Sequence, residues 1–209
     1  MLKDKNDSFI ISYLTLRKVV GILGILLPFI CMLDGVQESL SFYYHTDMRD
    51  LFVGILIGVC LFLVTYKGYE KRDNIVTSIS GFAGFAIALF PCRNLATGQP
   101  VGFFQINPDT SNTIHGIAAA VFFVFLAINS FFLFTLSNRN PASLRTKNKN
   151  IRNIIYRVCG GIIFALLILI VVIGQDNVQK ARLLLPFETA MLVAFGISWL
   201  VKGETLLRD

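Results

Sequence analysis

Residues 34–50, DGVQESLSFYYHTDMRD, hold a dense group of side chains that are equipped for chemistry. Four acids (Asp34, Glu38, Asp47, Asp50), a hydroxyl (Ser41), an imidazole (His45) and a fixed cation (Arg49) stand within this one stretch. His115, the second of two histidines, and Glu188 join them from later in the chain. Carboxylates and imidazoles at one level serve three kinds of chemistry. They relay protons in coupled transport, they hold a metal in a mixed histidine and carboxylate site, or they recognise a polar group without turnover. Each residue also has a purely structural reading. Asp47, with Asp50 three residues on, has the pattern of a helix N-cap followed by a first-turn acid. Glu188 follows Pro186, which suits a first helical position, so it reads equally well as another first-turn acid. Arg49 has neighbouring acids to pair with, and His115 beside Gly116 suits a hydrogen-bonded structural histidine. The candidate pocket is the set Asp34, Glu38, Ser41, His45, Arg49, Asp50, His115 and Glu188, with no metal and no cofactor expected.

The elements that must position these groups are apolar. Hydrophobic residues make up 55% of the 209 and charged residues 15%, with a mean hydropathy of +0.66. Soluble domains carry about a quarter charged residues, so lipid is the expected solvent. Collagen, disordered tails, zinc-finger arrays and disulfide-stapled secreted domains are excluded. Six runs are free of charge or nearly so, at 19–33, 51–66, 74–92, 110–138, 158–175 and 183–201, the last broken only by Glu188. Crossing the hydrocarbon takes roughly 20 apolar residues in a helix, and barrel strands would alternate apolar with polar residues, which these runs do not. The expected fold is an all-α polytopic membrane protein. It is one transmembrane domain over residues 1–209, a bundle of six helices at about 17–37, 48–67, 74–92, 113–137, 153–175 and 183–202. The first two runs span only about 22–24 Å as helix, so Asp34 and Asp50 are expected below the headgroups. Glu188 is expected about 9 Å beyond Arg182 and facing the bundle interior, near Asp34, Asp50 or His115.

Orientation follows from the cations. Fifteen Lys and Arg fall at the N-terminus, in the 2–3 and 4–5 loops and at the C-terminus, while Arg49, Arg93, Lys180 and Arg182 alone fall on the other side. The positive-inside rule then places both termini in the cytoplasm and the candidate pocket on the outer face. The net charge of +6 anchors loops to an anionic inner leaflet, so no nucleic-acid partner is expected. No small-x-small cleavage site follows the first apolar run, and helix 1 is expected to be retained. The stretch before it, 9–16, reads either as a surface-lying amphipathic segment or as an extension of helix 1. Small residues set close helix contacts in lipid, and they recur as Gly21/Gly24, Gly54/Gly58, Gly81/Gly84, 118–120 and Gly160/Gly161. The Gly54/Gly58 pair packs within the bundle or seams a homodimer; monomer and homodimer both remain open. Pro28 removes a helical hydrogen bond and predicts a kink. The four cysteines have no metal-ligand spacing, and the basic, Asn-rich stretch 138–153 reads as a cytoplasmic linker.

Ser41-x-x-x-His45 resembles one motif of the ceramidase/progestin-receptor-like membrane hydrolases. That superfamily has seven spans, three metal-binding histidines and a His-x-x-x-His pair, and this chain has two histidines in all. The runs HTDMRDLFVG, YKGYEKRDN, ALFP, IHGIAAAVFF and FETAMLVAFGISWLVKG resemble a family of bacterial multi-spanning membrane proteins of unknown function. Pro28 followed by Asp34, and a histidine followed by small residues opening helix 4, are more distantly similar to the DRAM/Sfk-like six-span proteins. The resemblance implies six helices, an outer polar site and a bacterial inner-membrane location, and it transfers no catalytic residue. The expected partner is a membrane lipid bound by its headgroup, or a small molecule or membrane protein on the same face. A membrane-embedded hydrolase and a proton-coupled transporter are the alternatives.

Overall fold

The computed structural model describes residues 2–68, 70–94, 96–136 and 146–204, with side chains from Tyr13 onward. Arg139, Arg145, Arg208 and the first half of the 138–153 linker lie outside the described residues, and over 147–153 the linker expectation is corrected, because the helix Lys147–Ile173 already begins there. The described chain is all-α. Its helices are α1 (Leu2–Cys31), α2 (Arg49–Thr65), α3 (Lys71–Leu89), α4 (Pro108–Ile128), α5 (Lys147–Ile173), the short α6 (Gln175–Lys180) and α7 (Leu184–Lys202). Two 3-10 turns, Met32–Asp34 and Ser41–His45, lie between α1 and α2, and a π-helical turn, Asn129–Leu133, continues α4. Over 9–16 the backbone simply extends α1.

Among the described residues, four helices are long and apolar enough to cross a membrane: Tyr13–Asp34, Pro108–Leu133, Lys147–Ile173 and Leu184–Lys202. This is a membrane protein. α2, at 17 residues, is about 26 Å long, and α3 opens on Lys71, Arg72 and Asp73, so these two are shorter or more polar.

Local chemistry sets the helix ends. α3 starts on a capping box in which Glu70 and Asp73 satisfy each other's backbone N–H groups. α4 starts at Pro108 because Asn107 Oδ1 accepts from the N–H groups of Asp109 and Thr110, and proline fits the first position, where an N–H has no helical partner. The start expected at 113 is therefore corrected by about a turn, and His115 sits well inside α4. α5 ends at Gly174, whose φ of +86° is left-handed backbone that glycine adopts at least cost.

The six long helices close a ring, each touching the next in the order α1, α7, α5, α4, α3, α2 and back to α1. Its centre is filled by Trp199, Phe195, Phe134, Leu63, Leu126 and Ile163, all essentially inaccessible. Trp199 stands edge-on to Phe62, Tyr66 and Phe134. α1 and α7 make the broadest contact in the bundle. Gly21 and Gly196 meet there so closely that a Cβ on Gly196 would stand 2.5 Å from the Gly21 carbonyl. Gly54 and Gly58 behave differently: neither has any atom within 4 Å of a Cβ position. The expected packing of this pair inside the bundle is corrected, because α2 turns Phe52, Leu56, Val59, Cys60 and Leu63 inward and carries its glycines outside.

At one end of the bundle Tyr13 Oη donates to the Lys67 carbonyl, Arg17 to the Lys202 carbonyl at 3.3 Å, and Lys149 to the Phe134 carbonyl at 3.3 Å. The other end carries the two 3-10 turns, the α3–α4 loop and α6.

Candidate functional site

The second end contains a cavity of about 310 Å³ enclosed by α4, α5, α7 and the 3-10 turn that begins at Ser41. Its long walls are apolar. α4 contributes Gly116, Ala119, Ala120 and Phe123, and α5 contributes Leu167, Ile170 and Val171. The helices meet near the far end of the bundle, where Gly160 lies against Phe131, with a Cβ position 2.7 Å from the Phe131 Cβ. Toward the cavity the small residues of α4 leave space: nothing lies within 4 Å of a Cβ on Gly116, and Ala120 is exposed. The 118–120 run thus divides, with Ala118 buried against the core and Ala119 and Ala120 lining the cleft.

The polar end of the cavity holds Ser41, His115 and Glu188. His115 Nδ1 lies 2.8 Å from the Phe90 carbonyl oxygen, which can only accept, so the neutral ring carries its proton on Nδ1. Its Nε2 then accepts from Ser41 Oγ at 2.9 Å. Glu188 Oε2 accepts from the Leu40 N–H at 2.6 Å, fixing the backbone next to Ser41. The first-turn reading of Glu188 is corrected. α7 begins at Leu184, so Pro186 is its third residue, and the carboxylate reaches across to another segment instead of capping its own helix.

The other sequence candidates go elsewhere. His45 Nε2 donates to the Cys92 carbonyl at 2.8 Å. Glu38 accepts from Gln179 Nε2 at 2.6 Å at the mouth of the site. Asp34 is exposed in the Met32–Asp34 turn. Arg49 pairs with Asp50 at 3.7 Å, with the Asp50 side chain 96% exposed. The N-cap reading of Asp47 is corrected: Met48 precedes α2 without a side-chain cap, and Thr46 Oγ1 accepts the Met48 N–H instead. Glu188 and His115 thus line the same cavity, while Asp34 and Asp50 do not join them. Among the described residues no three His, Cys, Asp or Glu side chains gather as a metal site.

Sequence reasoning missed Arg93, Asn112, Lys180 and Arg182. Arg93 and Asn112 line the cavity, and Asn112 Oδ1 accepts the Arg93 N–H at 3.0 Å. Arg93 also pairs with Asp109 and opens onto an adjoining groove of about 890 Å³, where Lys180 and Arg182 stand with Glu38 and Asp176. The signal was present in the charge count. Only four cations were assigned to this side of the bundle, and three of them border this groove. Cys92, outside the apolar helices, also lines the cavity; burial, with the charges of Glu188 and Glu38 adding to it, pushes its thiol up to about 12. Comparison with protein-family models, with curated proteins and with solved structures finds no match for this chain.

Proposed function

We propose that this protein is a six-span protein of the bacterial inner membrane that takes a phospholipid into an outer-leaflet cleft between α4 and α5. The observation that carries this reading is the cavity itself, with apolar long walls on α4 and α5 and a polar end where Ser41, His115 and Glu188 stand with Arg93, Asn112 and Gln179. Its volume is in the range of small-ligand sites, roughly 300–1,000 Å³. The adjoining groove adds Arg93, Lys180 and Arg182, cations of the kind that hold a phosphate. Exposed apolar side chains on the last turns of α5, Ile168, Val171 and Val172, suit lipid contact beside the opening. α2 and α3 complete the six spans by thinning the bilayer locally, which costs only fractions of a kcal/mol per ångström.

Two results are expected. Phe103→Cys, whose native side chain is 80% exposed beyond α3, is expected to react with an impermeant maleimide from outside intact cells. Lys71→Cys is expected to react only after permeabilisation, and the reverse pattern would invert the topology. Gly116→Leu places a side chain in the cleft where nothing stands within 4 Å. It is expected to keep the thermal unfolding midpoint of the parent protein and to lose at least ~10-fold in phospholipid retained through purification, read by native mass spectrometry. That loss corresponds to about 1.4 kcal/mol of binding. Equal retention by both proteins would refute cleft binding.

A further inference from the structure

The geometry points to Ser41 and His115 as a nucleophile and general-base pair that cleaves an acyl ester of the lipid held in the cleft, an inference that rests on the lipid-binding reading above. A serine hydroxyl is weakly nucleophilic unless an adjacent base removes its proton, and the diagnostic arrangement is a base within hydrogen-bond reach that is oriented by a third group. All three parts are present. Ser41 Oγ is 2.9 Å from His115 Nε2, and the Phe90 carbonyl, 2.8 Å from Nδ1, holds the ring in the tautomer whose Nε2 lone pair faces the hydroxyl. The two residues are 74 positions apart in sequence and meet at the wall of a cavity, not in the sealed core.

Position relative to a lipid supports the assignment. In a glycerophospholipid the acyl esters lie between phosphate and chains. The pair is on the wall of the cleft, whose apolar length suits a chain, and Arg93 and Gln179 line both that cleft and the groove with Lys180 and Arg182, which suits the phosphate. Arg93 and Asn112, which line the same cavity, carry donors of the type that a developing oxyanion needs. Glu188 is a positioning residue that anchors Leu40, one residue before the nucleophile.

In the first step Ser41 Oγ forms a bond to the ester carbonyl carbon while His115 Nε2 takes its proton. The carbon–alkoxy bond then breaks, and the leaving alcohol receives that proton. Water, deprotonated by His115, attacks the acyl-serine and releases the carboxylic acid, and the proton returns to Ser41. The sum is ester plus water giving acid plus alcohol.

The test uses the full chain in phospholipid nanodiscs with a hexadecyl fluorophosphonate, which forms an O–P bond to an activated serine with loss of fluoride. The expected adduct maps to Ser41 by peptide mass spectrometry. Ser41→Ala is expected to abolish it, and His115→Gln is expected to slow it by at least ~100-fold, the lower range for general-base assistance. Both variants are checked for parental thermal unfolding. Where one fails to fold, the position of the adduct in the parent protein decides alone. No adduct on Ser41, or an unchanged rate in folded His115→Gln, overturns the pair. If the parent protein still retains phospholipid while Gly116→Leu does not, only turnover falls and the binding reading stands. If retention is equal in both, the binding reading falls first.

Discussion

Gly196→Leu is expected to leave little folded protein. A Cβ at this position stands 2.5 Å from the Gly21 carbonyl oxygen and 2.5 Å from Ile25 Cγ1, with the Ile25 backbone nitrogen at 3.1 Å. A side chain can rotate away from an intruder; a backbone carbonyl on a neighbouring helix cannot. α1 and α7 would have to separate along the broadest contact of the bundle. Overpacking a core usually costs about 1–3 kcal/mol, and a clash with backbone belongs at or above the upper end. Unfolding in detergent should show a loss of at least ~3 kcal/mol. Gly54→Leu and Gly58→Leu, with open space at both positions, are expected to stay within about 0.5 kcal/mol of the parent protein. Equal damage from all three would contradict the assignment of the close contact to α1 and α7.

The second large effect is expected at Glu188. Its carboxylate is the acceptor for the Leu40 N–H, and Leu40 itself is 5% exposed. Glu188→Leu strands that donor away from water, at a cost of about 1–3 kcal/mol, and frees the segment that carries Ser41. Glu188→Gln keeps an oxygen acceptor and is expected to preserve folding to within about 1 kcal/mol. Thermal unfolding of the two variants side by side separates the hydrogen bond from the charge. Equal stability of Glu188→Leu and the parent protein would remove Glu188 from its positioning role.

Much of the fold was legible in the sequence because lipid imposes a strong rule: a spanning helix must be apolar along its length, and charge marks where it stops. The helix starts were less legible. Asn107-Pro108 is a strong cap signal, yet it precedes the apolar run of α4, so a reading by hydropathy began the helix too late. The site was legible in part. Ser41, His115 and Glu188 were singled out by residue type, but which of the polar residues meet depends on helix rotation. Asp50 points away because the buried face of α2 runs through Phe52, Leu56 and Val59. The partner of Glu188 is a backbone N–H, which residue types do not reveal. The cleft was hidden for a related reason. Ala119 and Ala120 read as close-packing residues, and small residues equally leave room where the neighbouring helix diverges.

The central claim, that a lipid chain occupies the space between α4 and α5, is tested most directly by photocross-linking with a phospholipid carrying a diazirine in its acyl chain. The account predicts cross-links concentrated on Gly116, Ala120 and Phe123 of α4 and on Leu167 and Val171 of α5, and largely lost in Gly116→Leu. Cross-links spread evenly over other exposed apolar positions, such as Ile75, Phe82 and Ile154, and unchanged by that substitution, would contradict it.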